Sequence, residues 1–334
     1  MQLYKKLMRP LLFTLEPETA WHLSDLGLSQ TWLWKIMGSG FQHHNELLKA
    51  TVAGIPIKNP VGLAAGYDKN CRFLSSLQEL GFGYVTGGTV TKNPRPGNPK
   101  PRVIRLKDQS ALINALGFPG DGLEKALSEI SKMASVPKKS VRIISVSGTD
   151  IADIAECHQQ LEPLCDAIEL NISSPNTKGL RIFQEPSNLR SLLAEVNQNK
   201  SKPLLVKIPP YKSGKGDDEK VLNLGRICLE EKVESLTVSN TMPIAHDGLA
   251  VGKGGLSGSP LFENTIEMVK TYQAEFGDSI EINACGGISN GYQAYEALKA
   301  GASSIQILTS LIYQGPRIVQ SINKELSELF TNRG

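Results

Sequence analysis

TIEMVKTYQAEFGDSIEINACGGISNGYQAYEALKAGASSIQIL, residues Thr265–Leu308, alternates two helical patterns with two short strand-like runs. Thr265–Phe276 reads as an amphipathic helix stopped by Gly277, and Tyr292–Ala300 as another stopped by Gly301. Glycine just past a helix supplies the left-handed residue that ends it. Ile280–Cys285 and Ser304–Leu308 read as strands, each ending at small or hydroxylated residues: Gly286-Gly287 after the first, Thr309-Ser310 after the second. Helix and strand in alternation predict βα units around a parallel sheet.

The same rhythm extends back to residue 61. Val61–Ala65, Tyr84–Gly88, Val141–Val146, Ala167–Ile172, Leu204–Ile208 and Ser235–Ser239 are six further runs, most of them continuously apolar, and Phe73–Leu80 is a helical pattern stopped by Gly81. Continuous rather than alternating runs imply burial on both faces. Eight strands with eight helices in about 270 residues predict an α/β fold, a (β/α)8 TIM barrel. A doubly wound sheet would use fewer strands and open on a glycine-rich fingerprint; GKGGLSG (Gly252–Gly258) has the wrong spacing and lies too late.

Residues 1–45 differ in character and are read as an N-terminal amphipathic helical extension preceding a barrel of residues 46–334. Leu3, Leu7, Leu11 and Leu15 recur at helical spacing beside Tyr4, Met8 and Leu12, with Lys5, Lys6 and Arg9 on the polar side. Pro10 should bend this helix or shift its start. Trp21, Trp32 and Trp34, all three tryptophans of the chain, fall here. Such a segment either lies in the headgroup region of a membrane or caps the barrel, with different faces able to do both.

Lys plus Arg number 36 against 33 Asp plus Glu, a formal charge of +3, which argues against a nucleic-acid surface and for a small-molecule ligand. The five cysteines form no CxxC pair and no zinc-spaced cluster, so neither a metal site nor a disulfide framework is expected. No run reaches the roughly 18 apolar residues that a spanning helix needs.

Barrel enzymes build their sites at the C-terminal strand ends. There the sequence places Gly66-Tyr67-Asp68-Lys69, Gly88-Thr89, Asn171 to Thr177, Lys207, Ser239-Asn240-Thr241, Gly286-Gly287 and Thr309-Ser310. The last two pairs sit where such barrels bind phosphate, with Gly254-Gly255 able to add amides; tight turns are the alternative reading. Lys207 needs an anionic partner if buried, either a reduced isoalloxazine ring or a core carboxylate such as Glu169. Asn114, Asn171, Asn176 and Asn240 offer paired donors and acceptors for a planar amide-bearing ring. Ser174 lacks a neighbouring histidine in sequence and suits a proton acceptor working by hydroxyl relay better than a nucleophile. No GxSxG elbow points to an esterase.

Nearly the whole chain resembles the dihydroorotate dehydrogenase family, and within it the membrane-associated, quinone-linked class. The resemblance rests on LEPETA (Leu15–Ala20), NPVGLAAGYDKN (Asn59–Asn70), GTVTKNPRPGNPKPRVIRL (Gly88–Leu106), LINALGF (Leu112–Phe118), NISSPNTKGLR (Asn171–Arg181), GGLSG (Gly254–Gly258) and QILTSLIYQGP (Gln306–Pro316). Serine at 174, where the soluble classes resemble one another in carrying cysteine, points to the quinone class. The resemblance implies that Ser174 takes the C5 proton of dihydroorotate while a hydride leaves C6 for flavin N5, with Phe118 and Thr177 enclosing the proton path. It implies that Lys69 holds the substrate carboxylate and that Asn114, Gly117, Phe118, Asn171, Asn176, Asn240 and Thr241 hold the ring. FMN would rest on Ala64, Ala65, Thr89, Ser145, Asn171, Lys207, Ser239, Gly255, Gly258, Gly287, Thr309 and Ser310. The N-terminal helices, with His22 and Arg105, would line a quinone tunnel in a protein peripheral to the cytoplasmic face of the cell membrane.

Three departures stand out. Phe118-Pro119-Gly120 replaces a Gly-Phe-Asn, Ile144–Thr149 replaces an INIGKN-like strand end so that Ser145 shortens or loses a flavin contact, and Ala20-Trp21-His22 replaces an Ala-His pair and moves the histidine to another helical face. These leave open a related FMN barrel acting on another reduced pyrimidine or enone, or a silent paralogue.

Overall fold

The computed structural model describes residues 3–133, 135–173, 180–212 and 217–333. Eight parallel strands close a barrel: β1 (Val61–Leu63), β2 (Tyr84–Val90), β3 (Val141–Val146), β4 (Ala167–Asn171), β5 (Leu204–Lys207), β6 (Ser235–Val238), β7 (Glu281–Cys285) and β8 (Ser304–Ile307). Each pairs with the next in sequence and β8 closes on β1. They coincide with the eight runs read from the sequence, offset by a residue or two at their ends. Gly81 and Gly301 end their helices at φ +91° and +114°, where a side chain would be strained.

Inward side chains change character along the axis. At the N-terminal end Tyr84, Val141, Ile143, Ala167 and Leu205 pack on Val52, Ala53 and Ile57 of a hairpin (Ala50–Val52, Ile55–Ile57) that plugs the barrel. One layer up, Thr237 donates to Glu169 (2.9 Å), Gln306 donates to the same carboxylate (3.3 Å) and Asn283 donates to Thr237 (3.3 Å). Tyr84 spans the two layers, its hydroxyl donating to Asn283 Oδ1 at 2.6 Å. Tyr84→Phe is expected to lower stability by about 0.5–1.5 kcal/mol, read as a shift of the urea midpoint, because Asn283 Oδ1 loses its shorter bond and keeps only the 3.2 Å one from Ser304.

A second, antiparallel sheet had no counterpart in the sequence reading. Its strands run in the order Met242–Ala245, Lys253–Gly258, Ala111–Asn114, Val103–Leu106. All four come from the excursions after β2 and β6, so the sheet stands over the C-terminal mouth. Four-residue strands and a glycine-rich partner carry little strand propensity, and pairing supplies what composition does not.

The N-terminal segment runs as a short π-helix (Tyr4–Met8) straight into a helix (Arg9–Thr14), with Pro10 at the start of the latter, followed by helices Pro17–Leu28 and Thr31–Met37. Tyr4 donates to the Ile312 carbonyl (2.7 Å), Arg9 to that of Tyr313 (3.1 Å), and the rings of Phe13 and Tyr313 meet edge-on at 5.2 Å. The inner face therefore packs on the barrel, while Leu3, Leu7, Leu11, Leu26, Trp32 and Ile36 are exposed.

Candidate active site

Side chains alternate along a strand, so Ser145, Asn171 and Lys207 point into the barrel above the polar layer. Asn171 donates to Thr89 Oγ1 (3.3 Å), and the Thr89 and Ser145 hydroxyls are 3.0 Å apart. Asn240 Nδ2 donates to Asn171 Oδ1 (3.2 Å), and Asn240 Oδ1 accepts the Thr241 N–H (2.7 Å). Five residues singled out in the sequence thus form one hydrogen-bonded chain across strand ends β2, β3, β4 and β6. Ser173 joins it unanticipated: Asn240 donates to its hydroxyl at 2.9 Å, and its own N–H and O–H reach Asn171 Oδ1 at 3.3 Å. Its place inside NISSPNT was the signal available. Ser174, Asn176 and Thr177 lie outside the described residues.

Lys207 is 5% exposed, and its Nζ reaches Gln306 Oε1 (3.5 Å) and Cys285 Sγ (3.6 Å). Burial opposes its charge, but Cys285 and the Glu169 carboxylate outweigh this and carry Lys207 above the usual lysine range. Burial likewise pushes the Cys285 thiol up, so it is protonated near neutrality. Gln306 links Lys207 to Glu169, which gives the core-carboxylate reading of this lysine a physical basis.

At the ends of β7 and β8, Thr309 donates to Ser257 (2.9 Å), and the buried Ser310 Oγ has no partner among the described residues. Gly287 has φ +76°, and a Cβ there would lie 2.3 Å from the Phe262 nitrogen; at Gly258 one would lie 2.4 Å from the Ser110 carbonyl. These glycines are demanded by packing as well as by any ligand. The mouth sheet brings Asn114 beside Gly255, Nδ2 donating to its carbonyl at 3.4 Å. Ala64, buried after β1, donates its N–H to Ile307, and Ala65 follows half-buried. Gly117 and Phe118 are both left-handed, at φ +70° and +56°, in a loop pinned by reciprocal Arg95–Gly120 hydrogen bonds of 2.9 and 3.0 Å. Ser239 opens the β6 turn behind a cis peptide to Val238.

Residues 47–330 match the family model described as dihydroorotate dehydrogenase. The chain belongs to the dihydroorotate dehydrogenase family. It is similar to proteins named dihydroorotate dehydrogenase (quinone) from Allorhizobium ampelinum, at 36% identity over 99% of this chain and 93% of that one, and from Christiangramia forsetii, at 35% over 98% and 99%. Among solved structures it superposes on the DHODH of Eimeria tenella in complex with ferulenol, with a TM-score of 0.80 and 29% identity over 95% of this chain and 92% of that one.

Against this dihydroorotate dehydrogenase background the departures acquire positions. The Ser145 hydroxyl is turned to Thr89. On the helix Pro17–Leu28, Glu18, Trp21, Asp25 and Leu28 share the inward stripe expected of 3.6-residue periodicity, and His22 points outward with a side chain 71% exposed. Arg105 donates to the Leu15 carbonyl (2.6 Å) and lies over the Phe13 ring. The residue that faces the barrel is Trp21, whose ring lies under Lys69 Nζ.

Lys69 stands in the loop after β1, which is shaped by Asp68. That buried carboxylate accepts the N–H groups of Arg72 (2.9 Å) and Phe73 (2.7 Å). Burial pushes Asp68 up to about 6, those two N–H bonds opposing it. Burial pulls Lys69 down to about 7 against the opposing pull of Asp25, Glu18 and Asp68, while Arg102 adds to the lowering.

Proposed function

We propose that this chain is a quinone-linked dihydroorotate dehydrogenase of pyrimidine biosynthesis, oxidising dihydroorotate to orotate with FMN at the barrel mouth. The observation that carries this reading is the hydrogen-bonded chain from Ser145 through Thr89, Asn171 and Asn240 to Thr241, with Lys207 in register beside Asn171 on the next strand. Its amides offer the alternating donors and acceptors that a pyrimidine ring carries.

The residues suit FMN. The orphaned Ser310 hydroxyl is a donor without a partner among the described residues, and a buried group left so costs about 1–3 kcal/mol. A phosphate oxygen held by Ser310, Thr309 and the Gly287 and Gly255 amides would relieve it. Lys207 would lie at the electron-rich edge of the isoalloxazine, with Thr89, Ser145, Ala64, Ala65, Ser239 and Gly258 as its other supports. FMN supplies the hydride acceptor at N5.

The chain's own groups do the rest. Lys69 binds the substrate carboxylate, and Asn114, Asn171, Asn176, Asn240 and Thr241 fix the ring so that C6 faces the flavin. Ser174 takes the C5 proton, which the adjacent carbonyl acidifies, Phe118 and Thr177 exclude bulk water from its path, and Gly117 borders the ring. Residues 1–45 form the extension through which the quinone arrives, bordered by Arg105. Among the described residues no helix is long and apolar enough to cross a membrane. The exposed apolar side chains of this extension support a peripheral attachment, which we place on the cytoplasmic face of the cell membrane.

The test is steady-state turnover of the detergent-solubilised holoenzyme with dihydroorotate and a short-chain ubiquinone. Orotate formed in step with quinone loss is expected, and equal rates with NAD+ or fumarate in place of quinone would contradict the acceptor assignment. A pH dependence follows as well. Lys69 faces Asp25, Glu18, Asp68 and Arg102 and loses its proton above about 7. Orotate, anionic throughout, should therefore bind about 10- to 100-fold more weakly at pH 9 than at pH 6 by flavin difference titration. An affinity constant over that range would remove Lys69 from the carboxylate.

A further inference from the structure

The Lys69 ammonium lies 3.3 Å from the centroid of the Trp21 ring and donates to the Gly66 carbonyl at 2.8 Å. These are its two close partners among the described residues. The helix bearing Trp21 is fixed to the barrel on both sides of that contact. Glu18, 5% exposed, pairs with Arg102 at 2.8 Å, and one helical stretch later the Leu28 carbonyl accepts the Ser76 hydroxyl at 2.7 Å. Trp21 has little room to leave the lysine.

The chemistry of an aromatic face suits this position. A carboxylate in place of the ring would compete with the substrate's own carboxylate for the ammonium. An alkyl side chain would desolvate the charge and return nothing. The indole quadrupole stabilises the cation through its face and uses none of its N–H donors, so two remain for an incoming anion. The nearby acids do not take that place: Glu18 is engaged by Arg102, and Asp25, Glu18 and Asp68 pull on the ammonium without forming an ion pair with it among the described residues.

We propose that Trp21 is a positioning residue for the substrate, holding the Lys69 ammonium charged and aimed at the dihydroorotate carboxylate, so that a helix of the acceptor-side extension also sets substrate affinity. The proposal rests on the assignment of Lys69 to that carboxylate. It assigns a role to the tryptophan that this chain carries where its family resemblance implies the Ala-His pair.

The test is the KM and kcat of the full-length holoenzyme for dihydroorotate in Trp21→Leu, Trp21→Phe, Lys69→Met and the double variant Trp21→Leu/Lys69→Met. Trp21→Leu is expected to raise KM roughly 3- to 30-fold with kcat within about twofold, while Trp21→Phe, which keeps an aromatic face, recovers most of the loss. In the Lys69→Met background the leucine change should add nothing to KM, the signature of an effect exerted through the lysine. Trp21→Met, which keeps apolar bulk, carries the same expectation if the leucine variant does not fold. An unchanged KM in Trp21→Leu, or an equal increase with and without Lys69, overturns the proposal. An unchanged KM in Lys69→Met instead overturns the carboxylate assignment, and the proposal with it.

Discussion

Alanine at Ser174 is expected to slow flavin reduction by dihydroorotate about 10²- to 10⁴-fold, the range in which general-base groups contribute, while the protein keeps its bound flavin. A serine hydroxyl is a weak base, and its use here depends on a substrate proton already acidified by the neighbouring carbonyl and on a fixed geometry. The residue before it supplies part of that geometry: the Ser173 hydroxyl is held between Asn171 and Asn240, and Asn171 is itself the last residue of β4. Apart from Asn171, the flavin supports of the proposed site come from other strand ends and from the sheet over the mouth, which is why binding should survive the substitution. Anaerobic stopped-flow absorbance separates the two effects. Ordinary reduction rates in Ser174→Ala would take the base role from this residue.

The second large effect is expected at the outer surface of the extension. Leu7, Leu11 and Ile36 are 64%, 70% and 70% exposed, so replacing all three by glutamate should leave the fold intact. Burying such a side chain is worth about 1.5–3 kcal/mol, so the triple change should weaken vesicle binding by about 10³-fold or more. Co-sedimentation with anionic vesicles reads the partition. Turnover with a vesicle-borne quinone should fall in parallel, while anaerobic flavin reduction by dihydroorotate stays near its original rate, because the inner face that carries Tyr4, Phe13 and Trp21 is untouched. Undiminished sedimentation of the triple variant would refute the attachment.

The barrel was legible because strands buried on both faces write themselves as apolar runs, and glycines such as Gly81 and Gly301 mark where helices must stop. The sheet over the mouth was not legible. Lys253–Gly258 is half glycine, and glycine is needed there for close approach: a Cβ on Gly254 would lie 2.8 Å from the Asn114 carbonyl. Such a strand is specified by its partners and not by its own propensity. The candidate residues at strand ends were picked out by chemistry and position, and their linkage into one chain through Asn171 and Ser173 required the barrel to close. Trp21 is intermediate. The sequence marks it as a departure and helical arithmetic separates it from His22 by about 100°, but only packing tells which of the two turns toward Lys69. Of the polar layer only Glu169 was anticipated; Gln306, Thr237 and Asn283 were hidden for the opposite reason, since polar residues inside a strand run look like defects until they are seen paired.

The central claim is that dihydroorotate delivers a hydride to a flavin seated above Lys207 and beside the asparagine chain. Anaerobic titration of the purified yellow holoprotein with dihydroorotate tests it most directly. Stoichiometric bleaching of the flavin band with release of orotate is predicted; an unchanged spectrum in a sample that dithionite still reduces would contradict it.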